Sequence, residues 1–223
     1  MKKICMKLGT LLMAALLTLS MVSSAFAAEP REYFDVPDDA WYRDAVMCVS
    51  SWGYMVGVGE KRFGPEEPLT RAMFVTALYR MAGNWTELPA LDEAAAFSDV
   101  PADAWYAEPV AWAVALGITA GTGDGCFDPK AAITRQDMSL MLLRFVQAVK
   151  PELVTDDNII ELWFEDLDEV SAYARDAVIF CGHRGFFHGA PGGGFLPHKQ
   201  ATRAEGAQVL MVLDWQIVPA PAN

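Results

Sequence analysis

FSDVPADAWYAEPVAWAVALGITAGTGDGCFDPKAAITR, residues 97–135, is one copy of a pattern that the chain carries three times. Its markers stand at fixed steps: Asp99-Val100-Pro101, Trp105-Tyr106, Val110, Gly117, Gly121, Phe127, Pro129 and Thr134-Arg135. Sixty-four residues earlier the same steps give Asp35-Val36-Pro37, Trp41-Tyr42, Val46, Gly53, Gly57, Phe63, Pro65 and Thr70-Arg71. Later in the chain they give Val178, Gly185, Gly189, Phe195, Pro197 and Thr202-Arg203. Agreement at so many fixed steps indicates that three similar units build the fold.

The third copy departs from the pattern at its beginning. Phe164-Glu165-Asp166-Leu167 replaces Phe-x-Asp-Val, Asp168 replaces the proline, and Tyr173 stands where the other copies have tryptophan. Polar stretches rich in proline or acidic residues separate the copies and are typical of connectors. We therefore divide the chain into a leader at 1–27, repeats at 28–83, 97–150 and 164–223, and linkers at 84–96 and 151–163. We expect no separate catalytic domain.

The apolar residues of each copy recur with the period of a helix. In the first copy two stripes each end at a glycine: Ala45, Val46, Val49 and Trp52 before Gly53, and Phe74, Ala77, Leu78 and Met81 before Gly83. The threonine before each second helix is a natural N-cap, and Thr202 with Glu205 forms a full capping box. Two short helices cannot bury a core alone. The sequence therefore predicts an all-α fold of three helix–loop–helix repeats that pack together and unfold as one unit.

The charge of the chain excludes some classes of function. The formal net charge is −12, from 29 acidic residues against 17 Lys and Arg. A nucleic-acid binder needs clustered Lys and Arg for phosphate contacts, and an anionic membrane surface attracts the same residues. We therefore expect neither nucleic acid nor a membrane surface as a partner.

The first 27 residues have the order of a secretory signal peptide. Three lysines, Lys2, Lys3 and Lys7, precede an apolar stretch at 8–22, and Ala25-Phe26-Ala27 supplies the small-x-small pattern that signal peptidase reads. An uncleaved N-terminal anchor is the alternative. We expect cleavage before Ala28, which gives an exported, acidic protein without a membrane span.

Cysteine and histidine give weak signals for chemistry. Cys48, Cys126 and Cys181 follow the leader, an odd number without metal-ligand spacing. Cys48 and Cys181 fit small core residues on helices, and a disulfide between two of the three remains open. The histidines near Cys181 have no ligand counterparts in the other copies, so we expect no metal and no cofactor.

Together, these motifs resemble the S-layer homology (SLH) family. The second copy carries the family pattern as Phe97-x-Asp99-Val100-Pro101, Trp105-Tyr106, Gly117-Ile118-x-x-Gly121, Phe127-x-Pro129 and Ile133-Thr134-Arg135. The closing Thr-Arg-Ala-Glu motif is complete only at Thr202-Arg203-Ala204-Glu205. The resemblance covers nearly all of the chain after the leader. It implies a three-pronged, pseudo-threefold spindle around a central helical bundle.

The resemblance also implies a function and a set of binding residues. SLH repeats hold exported proteins to the bacterial cell wall without a covalent bond. They bind a pyruvylated secondary wall polysaccharide in grooves between prongs or, in some bacteria with an outer membrane, peptidoglycan. The arginine of the Thr-Arg motif contacts the ketal carboxylate, which nominates Arg71, Arg135 and Arg203. An arginine fork suits a carboxylate, and we expect unsatisfied N–H groups at the start of the capped helix to favour an anion there.

Each nominated set also has a structural interpretation. The arginines either bind a ligand or pair with acidic residues to hold the prongs together. The aromatic pairs either stack on sugar rings or, as we favour, pack in the core: Trp41, Tyr42, Trp105 and Tyr106. The loop glycines serve a turn or let a sugar approach the backbone: Gly57, Gly121 and Gly189. The acidic residues cap the loop that leads to the first helix or contact ligand: Asp35, Asp99 and Asp166.

The leading hypothesis is a wall-binding module whose partners are wall polysaccharide or peptidoglycan, together with other surface proteins. The alternative is a small subunit of a surface layer that associates with its own kind. No nucleophile–base pair recurs among the copies, so we do not expect an enzyme. Replacing Arg71, Arg135 or Arg203 by Ala is expected to weaken wall binding while the melting temperature stays close to wild type.

Overall fold

The structure is a computed structural model that describes residues 33–83, 97–154 and 164–217. Six helices, two from each copy, form its framework: α1 Arg43–Ser51, α2 Arg71–Gly83, α3 Ala107–Ala115, α4 Arg135–Val149, α5 Arg175–His183 and α6 Arg203–Ile217. A 3-10 turn over Pro151–Leu153 follows α4. No β-strand occurs within these ranges, so the predicted all-α class is confirmed. The predicted leader and the linker at 84–96 lie outside the described residues.

The helix boundaries follow from local sequence. Each first helix ends just before a glycine in the left-handed region, such as Gly117 with φ of +69°, which a residue with a Cβ adopts only with strain. Each second helix begins after a threonine whose hydroxyl accepts the N–H of the third helical residue at 3.2 Å: Met73, Asp137 and Glu205. The Glu205 carboxylate in turn accepts the Thr202 N–H at 2.9 Å, which completes the predicted capping box.

Each first helix packs on the second helix of another copy rather than on that of its own copy. α3 packs on α2, α5 packs on α4, and α1 packs on α6, so the last helix of the chain closes on the first. Within the described residues, the two helices of one copy do not contact each other. Three two-helix prongs result, each made from two copies. A single copy therefore leaves the apolar faces of both its helices uncovered.

The prongs meet in a ring of backbone hydrogen bonds just before the second helices. The Leu69 N–H donates to the Ala201 carbonyl, the Ala201 N–H to the Ile133 carbonyl, and the Ile133 N–H to the Leu69 carbonyl, each at 2.9 Å. All three residues are fully buried, where an unpaired backbone group would be costly. Around this ring, α2 also contacts α4 and α6. The ring lies at the centre of the predicted three-pronged, pseudo-threefold spindle.

The acidic residue near the start of each copy holds a loop together. Asp99 accepts the backbone N–H groups of Phe127 and Asp128, at 2.9 and 2.7 Å. Asp35 and Asp166 bind the matching N–H groups of their own copies. The prediction that these residues cap the loop leading to the first helix is therefore wrong, because they bind a different loop. They brace the loop before the second helix, because the two carboxylate oxygens can accept from two successive N–H groups there.

The three cysteines that follow the leader are free thiols. Cys181 lies fully buried on α5, and Cys48 lies half-buried on α1 against the core, as predicted for small core residues. Burial raises the pKa of the Cys181 thiol well above its ordinary value. Such a buried, protonated thiol is chemically inert.

Candidate binding grooves

Among the grooves on the surface of the described residues, three share one plan, and each of these is built from all three copies. Each contains an arginine of the Thr-Arg motif from one copy, the glycine loop and second helix of the next copy, and an aromatic side chain from the third. We name each groove after its arginine. The Arg71 groove has a volume of about 430 Å³ and includes Gly121, Thr122, Asp137, Arg144 and Tyr173. The Arg135 groove, of about 260 Å³, includes Trp41, Phe187, His188, Glu205 and Gln208. The Arg203 groove, of about 380 Å³, includes Val56, Gly57, Met73, Arg80 and Trp105.

The three arginines make the same two contacts with the phenylalanine in the Phe-x-Pro motif of the next copy. We call this arrangement the arginine seat. In each case the Nε–H donates to the phenylalanine carbonyl: Arg71 to Phe127 at 2.8 Å, Arg135 to Phe195 at 2.7 Å, and Arg203 to Phe63 at 2.9 Å. Each guanidinium also lies over the ring of the same phenylalanine, with Cζ 4.6–5.0 Å from the ring centroid. The arginines therefore tie neighbouring copies together.

The arginines are almost completely buried. Arg71, Arg135 and Arg203 expose 7, 6 and 3% of their surface. Burial lowers the pKa of each guanidinium below its ordinary value, although an arginine stays charged. The structure therefore changes the prediction that replacement by Ala leaves stability untouched, because removal would leave buried backbone carbonyls without their donors.

The expected contribution of helix N-terminal N–H groups to anion binding is wrong. The Arg71 N–H donates to the Ala131 carbonyl at 2.9 Å, and the Ala72 N–H donates to the Pro129 carbonyl at 3.1 Å. The corresponding N–H groups of α4 and α6 also donate to carbonyls of the next copy. Since the threonine hydroxyl accepts from the third residue, the first turn has no free donors for a ligand. Any anion in these grooves must be held by side chains or loop backbone.

Arg135 pairs with a carboxylate. Its Nη1 donates to Glu205 Oε1 at 3.0 Å, and both side chains are nearly buried. Glu205 also accepts from the Lys199 ammonium at 2.9 Å. Burial raises the pKa of Glu205, but the Thr202 N–H, Lys199 and Arg135 outweigh it and hold the pKa below its ordinary value. The interpretation of the arginine as an ion-pair partner holds for this copy.

The other two arginines have no carboxylate within 4.0 Å among the described residues. Arg203 donates from Nη2 to the Val56 carbonyl at 2.7 Å, and its Nη1 lies 3.7 Å from the Met73 sulfur. The Arg71 side chain makes no hydrogen bond within the described ranges other than the one to the Phe127 carbonyl. Both therefore keep N–H donors that a ligand can use.

The two aromatic residues of each Trp-Tyr pair have opposite environments. Tyr42 and Tyr106 are buried, whereas Trp41 and Trp105 are 63 and 59% exposed, and Tyr173 at the matching place is 58% exposed. Each exposed ring lines a different groove. The favoured prediction of core packing is therefore confirmed for the tyrosines and wrong for the tryptophans. Adjacent residues at the start of a helix cannot both face the core.

The three loop glycines differ in whether the structure has room for a side chain. A Cβ on Gly57 would lie 2.5 Å from the Arg62 carbonyl oxygen, and one on Gly121 would lie 2.4 Å from the Cys126 carbonyl oxygen. The missing side chain thus makes room for the protein's own hairpin. At Gly189 the closest atom would be 3.5 Å away, so glycine is not required there. Gly57 and Gly121 line their grooves, while the lining of the Arg135 groove includes His188 but not Gly189.

Two further arginines were missed by the sequence analysis. Arg80 lines the Arg203 groove and Arg144 lines the Arg71 groove. Each stands nine residues after the arginine of its Thr-Arg motif, whereas the third copy has Val212 there. That regular spacing was the available signal. The spacing was easy to overlook, because each of these arginines lines a different groove from the one that the motif arginine of its own helix lines.

Comparison with known proteins agrees with the three repeats. The family model for the S-layer homology domain matches residues 33–73, 96–139 and 164–207. The chain belongs to the S-layer homology domain family. These SLH repeats are 36% identical to the Cell surface protein of Thermoanaerobacter kivui over 171 residues, 74% of this chain and 20% of that protein.

Other relatives differ in kind. The Amylopullulanase of Thermoanaerobacterium thermosulfurigenes is 30% identical over 188 residues, 84% of this chain and 10% of that protein. The S-layer protein sap of Bacillus anthracis is 28% identical over 207 residues, 91% of this chain and 24% of that protein. The SLH chain thus spans from about a tenth to about a quarter of the length of these relatives. They include an enzyme as well as surface proteins, and the SLH domain itself is not catalytic. The surface proteins agree with the predicted surface location.

Membrane-spanning and metal-binding features are absent from residues 33–83, 97–154 and 164–217. None of the helices in these ranges is long and apolar enough to cross a membrane. Within the same ranges, no three His, Cys, Asp or Glu side chains are grouped to hold a metal ion.

Proposed function

We propose that this SLH chain anchors to the bacterial cell wall by binding an anionic, pyruvylated secondary wall polysaccharide in its grooves. One observation carries the proposal. Arg203 is 97% buried, has no carboxylate partner within the described residues, and lines an open groove with a second arginine, Arg80. A buried cation without a carboxylate in direct contact is costly, so a ligand carboxylate would pair with a charge on which Glu67 and Asp35 act only from beyond 4.0 Å.

The composition of the groove supports a charged sugar rather than a simple ion. Trp105 exposes its ring in the same groove as Arg203, and Met73 and Val56 add apolar side chains to the lining. An aromatic face stacks on the C–H groups of a sugar ring, while the arginine fork binds its carboxylate. The Arg71 groove offers the same combination with Tyr173 and Arg144.

Nominated residues therefore have separate roles in the proposal. Arg71 and Arg203 bind carboxylate, Trp105 stacks on the sugar, and Gly57 and Gly121 contribute loop backbone. Peptidoglycan is the alternative polymer, and other surface proteins are the proposed cargo. Self-association is the second function, favoured by the similarity to S-layer proteins over 91% of this chain.

The test is co-sedimentation of the secreted chain with purified cell walls before and after the secondary polysaccharide is stripped. The proposal predicts saturable binding to intact walls and loss of most binding to stripped walls. Equal binding to both preparations would identify peptidoglycan as the ligand. If neither preparation binds and the chain instead forms large assemblies alone, the surface-layer alternative is correct.

Export is part of the proposal, since the wall lies outside the cell membrane. The signal peptide pattern at 1–27 lies outside the described residues, and we propose cleavage before Ala28. The intact mass of the secreted protein tests this directly. A mass that includes the lysine-rich leader would contradict it.

A further inference from the structure

The three grooves differ in the residue at the third position of the second helix that lines them. This residue is Met73 in the Arg203 groove, Asp137 in the Arg71 groove and Glu205 in the Arg135 groove. In each case it belongs to the copy after the one that supplies the groove's arginine. Since its backbone N–H is held by the N-cap threonine, its side chain has a fixed origin at the groove wall. We call it the N3 residue.

The N3 residues of the Arg135 and Arg203 grooves differ in charge, and each lies next to the guanidinium of its groove. Glu205 Oε1 lies 3.0 Å from Arg135 Nη1, so a protein carboxylate already occupies the place that a ligand carboxylate would take. In the Arg203 groove the N3 residue is neutral, and Met73 brings only its sulfur to 3.7 Å from the guanidinium. Among the described residues, no carboxylate lines this groove. Glu67 and Asp35 act on the charge of Arg203, and neither lines the groove.

The Arg71 groove is intermediate. Asp137 is its N3 residue, but one carboxylate oxygen accepts the Tyr173 hydroxyl at 2.8 Å and the other accepts the Thr134 hydroxyl at 2.7 Å. These bonds hold the carboxylate without a salt bridge to Arg71 within the described residues. Arg144 adds a second positive charge to this groove.

A second arginine increases the difference in charge between the Arg203 groove and the Arg135 groove. Arg80 lies in the Arg203 groove, whereas Arg135 is the only arginine that lines its own groove in the described part of the chain. Of the described side chains that line the two grooves, those of the Arg203 groove carry two positive charges and no negative charge, and those of the Arg135 groove carry one of each. The Arg203 groove is thus a locally positive site on a strongly acidic chain.

We propose that the N3 residue selects which grooves bind an anion, so that the Met73-lined Arg203 groove is the strongest anionic-sugar site and Glu205 closes the Arg135 groove to anions. The Arg71 groove ranks between them. This inference rests on the proposed function and adds to it a ranking of the grooves and the residue that sets the ranking. It predicts that one polymer chain is held by unequal grooves rather than by three equivalent ones.

The exposed tryptophans allow each groove to be observed separately. Trp105 reports on the Arg203 groove and Trp41 on the Arg135 groove, and both indole N–H signals can be assigned by Trp→Phe replacement in the 15N-tryptophan-labelled secreted chain. The probe is a hexose carrying a pyruvate ketal, with the same hexose lacking the ketal as the control. We expect a saturable shift of the Trp105 signal and no shift of the Trp41 signal. The control sugar should move neither signal at the same concentrations.

Two variants test whether the N3 residue is the cause. Met73→Glu should weaken the Trp105 response by about tenfold or more, since it places a like charge beside the ligand carboxylate. Met73→Gln is the matched neutral control and should retain the response. Both residues can complete a capping box with Thr70, so neither variant is expected to unfold α2. In the Arg135 groove, Glu205→Gln keeps an oxygen for the Thr202 N–H and should create a Trp41 response.

The outcomes separate this inference from the proposed function. Equal shifts of Trp41 and Trp105, or identical affinities for Met73→Glu and Met73→Gln, would overturn the ranking while the wall-binding function stands. A folded chain that binds intact walls but shows no Trp105 shift would also overturn it. If the chain binds neither the walls nor the probe, both the function and the inference fail.

Discussion

The Arg135 and Arg203 grooves have the same framework and opposite electrostatics. In both, an arginine donates from Nε to a phenylalanine carbonyl of the next copy and lies over that ring. The side chain next to the guanidinium differs, and it is Glu205 in one groove and Met73 in the other. The comparison shows that the arginine keeps the same contacts to the phenylalanine in both copies, and it supports the proposal that the side chain at the wall of the groove sets the availability of its charge.

The largest expected effect comes from removing the copy that both grooves need. Ending the chain at residue 163 removes α5 and α6, which uncovers the packing faces of α4 and α1 and breaks the central ring at Ala201. We expect loss of cooperative unfolding, because no prong but α2–α3 stays intact. Thermal denaturation followed by circular dichroism measures this. A sharp transition with full helicity for the first two copies would show that the ring is dispensable.

The next effect tests the shared seat. Arg135→Ala and Arg203→Ala should each lower the free energy of unfolding by about 2–4 kcal/mol, since each leaves buried carbonyls without a donor. The two losses should be similar because the seat is the same in both grooves. Urea denaturation of both variants checks this. If Arg203→Ala were neutral for stability, the arginine would serve binding alone and the account of the seat would be wrong.

A smaller effect concerns the ion pair that distinguishes the Arg135 groove. The folded-state pKa of Glu205 lies below its ordinary value, so its ionised form stabilises the native state above the ordinary pKa near 4.5. That stabilisation, about 1 kcal/mol, should be lost as the pH falls through the folded-state pKa. The stability difference between wild type and Glu205→Gln should therefore be present at pH 7 and vanish in acid. Met73→Gln, measured in parallel, should show no such dependence on pH, and a constant difference for Glu205→Gln would refute the ion pair.

The smallest effect on stability should come from the exposed tryptophans. Trp41→Ala and Trp105→Ala remove side chains that are mostly in solvent, so each should change the free energy of unfolding by at most about 0.5 kcal/mol. Their effects on wall binding should differ, because Trp105 lines the Arg203 groove, which we propose to bind an anion, and Trp41 lines the Arg135 groove, which we propose to be closed to anions. Binding isotherms on purified walls measure this. Equal losses for both variants would indicate that the two grooves bind ligand alike.

The sequence predicted what local chemistry determines. The Thr202–Glu205 capping box and the stop of the first helix at Gly117 involve residues only a few positions apart, and both are present. The pairing of helices across copies was not predicted, because it depends on hydrogen bonds among Leu69, Ile133 and Ala201, which are more than sixty residues apart. No periodicity reports such contacts.

The candidate site was predicted in part for the same reason. The motif arginines were found because they recur, yet sequence alone did not show that Arg135 faces Glu205 of the next copy. The roles of Trp41 and Tyr42 were also ambiguous, since adjacent aromatic residues look alike in sequence and only one of them turns toward the core. Arg80 and Arg144 were missed because their partners in the grooves come from other copies.

The most direct test of the account is the wall-binding isotherm of Met73→Glu beside that of Met73→Gln, both on intact walls. The two variants differ by one charge at the wall of the Arg203 groove and share the same helix cap. The account predicts that Met73→Glu binds with an affinity lower by about tenfold or more, while Met73→Gln binds as wild type does. Equal affinities for the two variants, with both folded, would contradict the claim that the N3 side chain controls the groove.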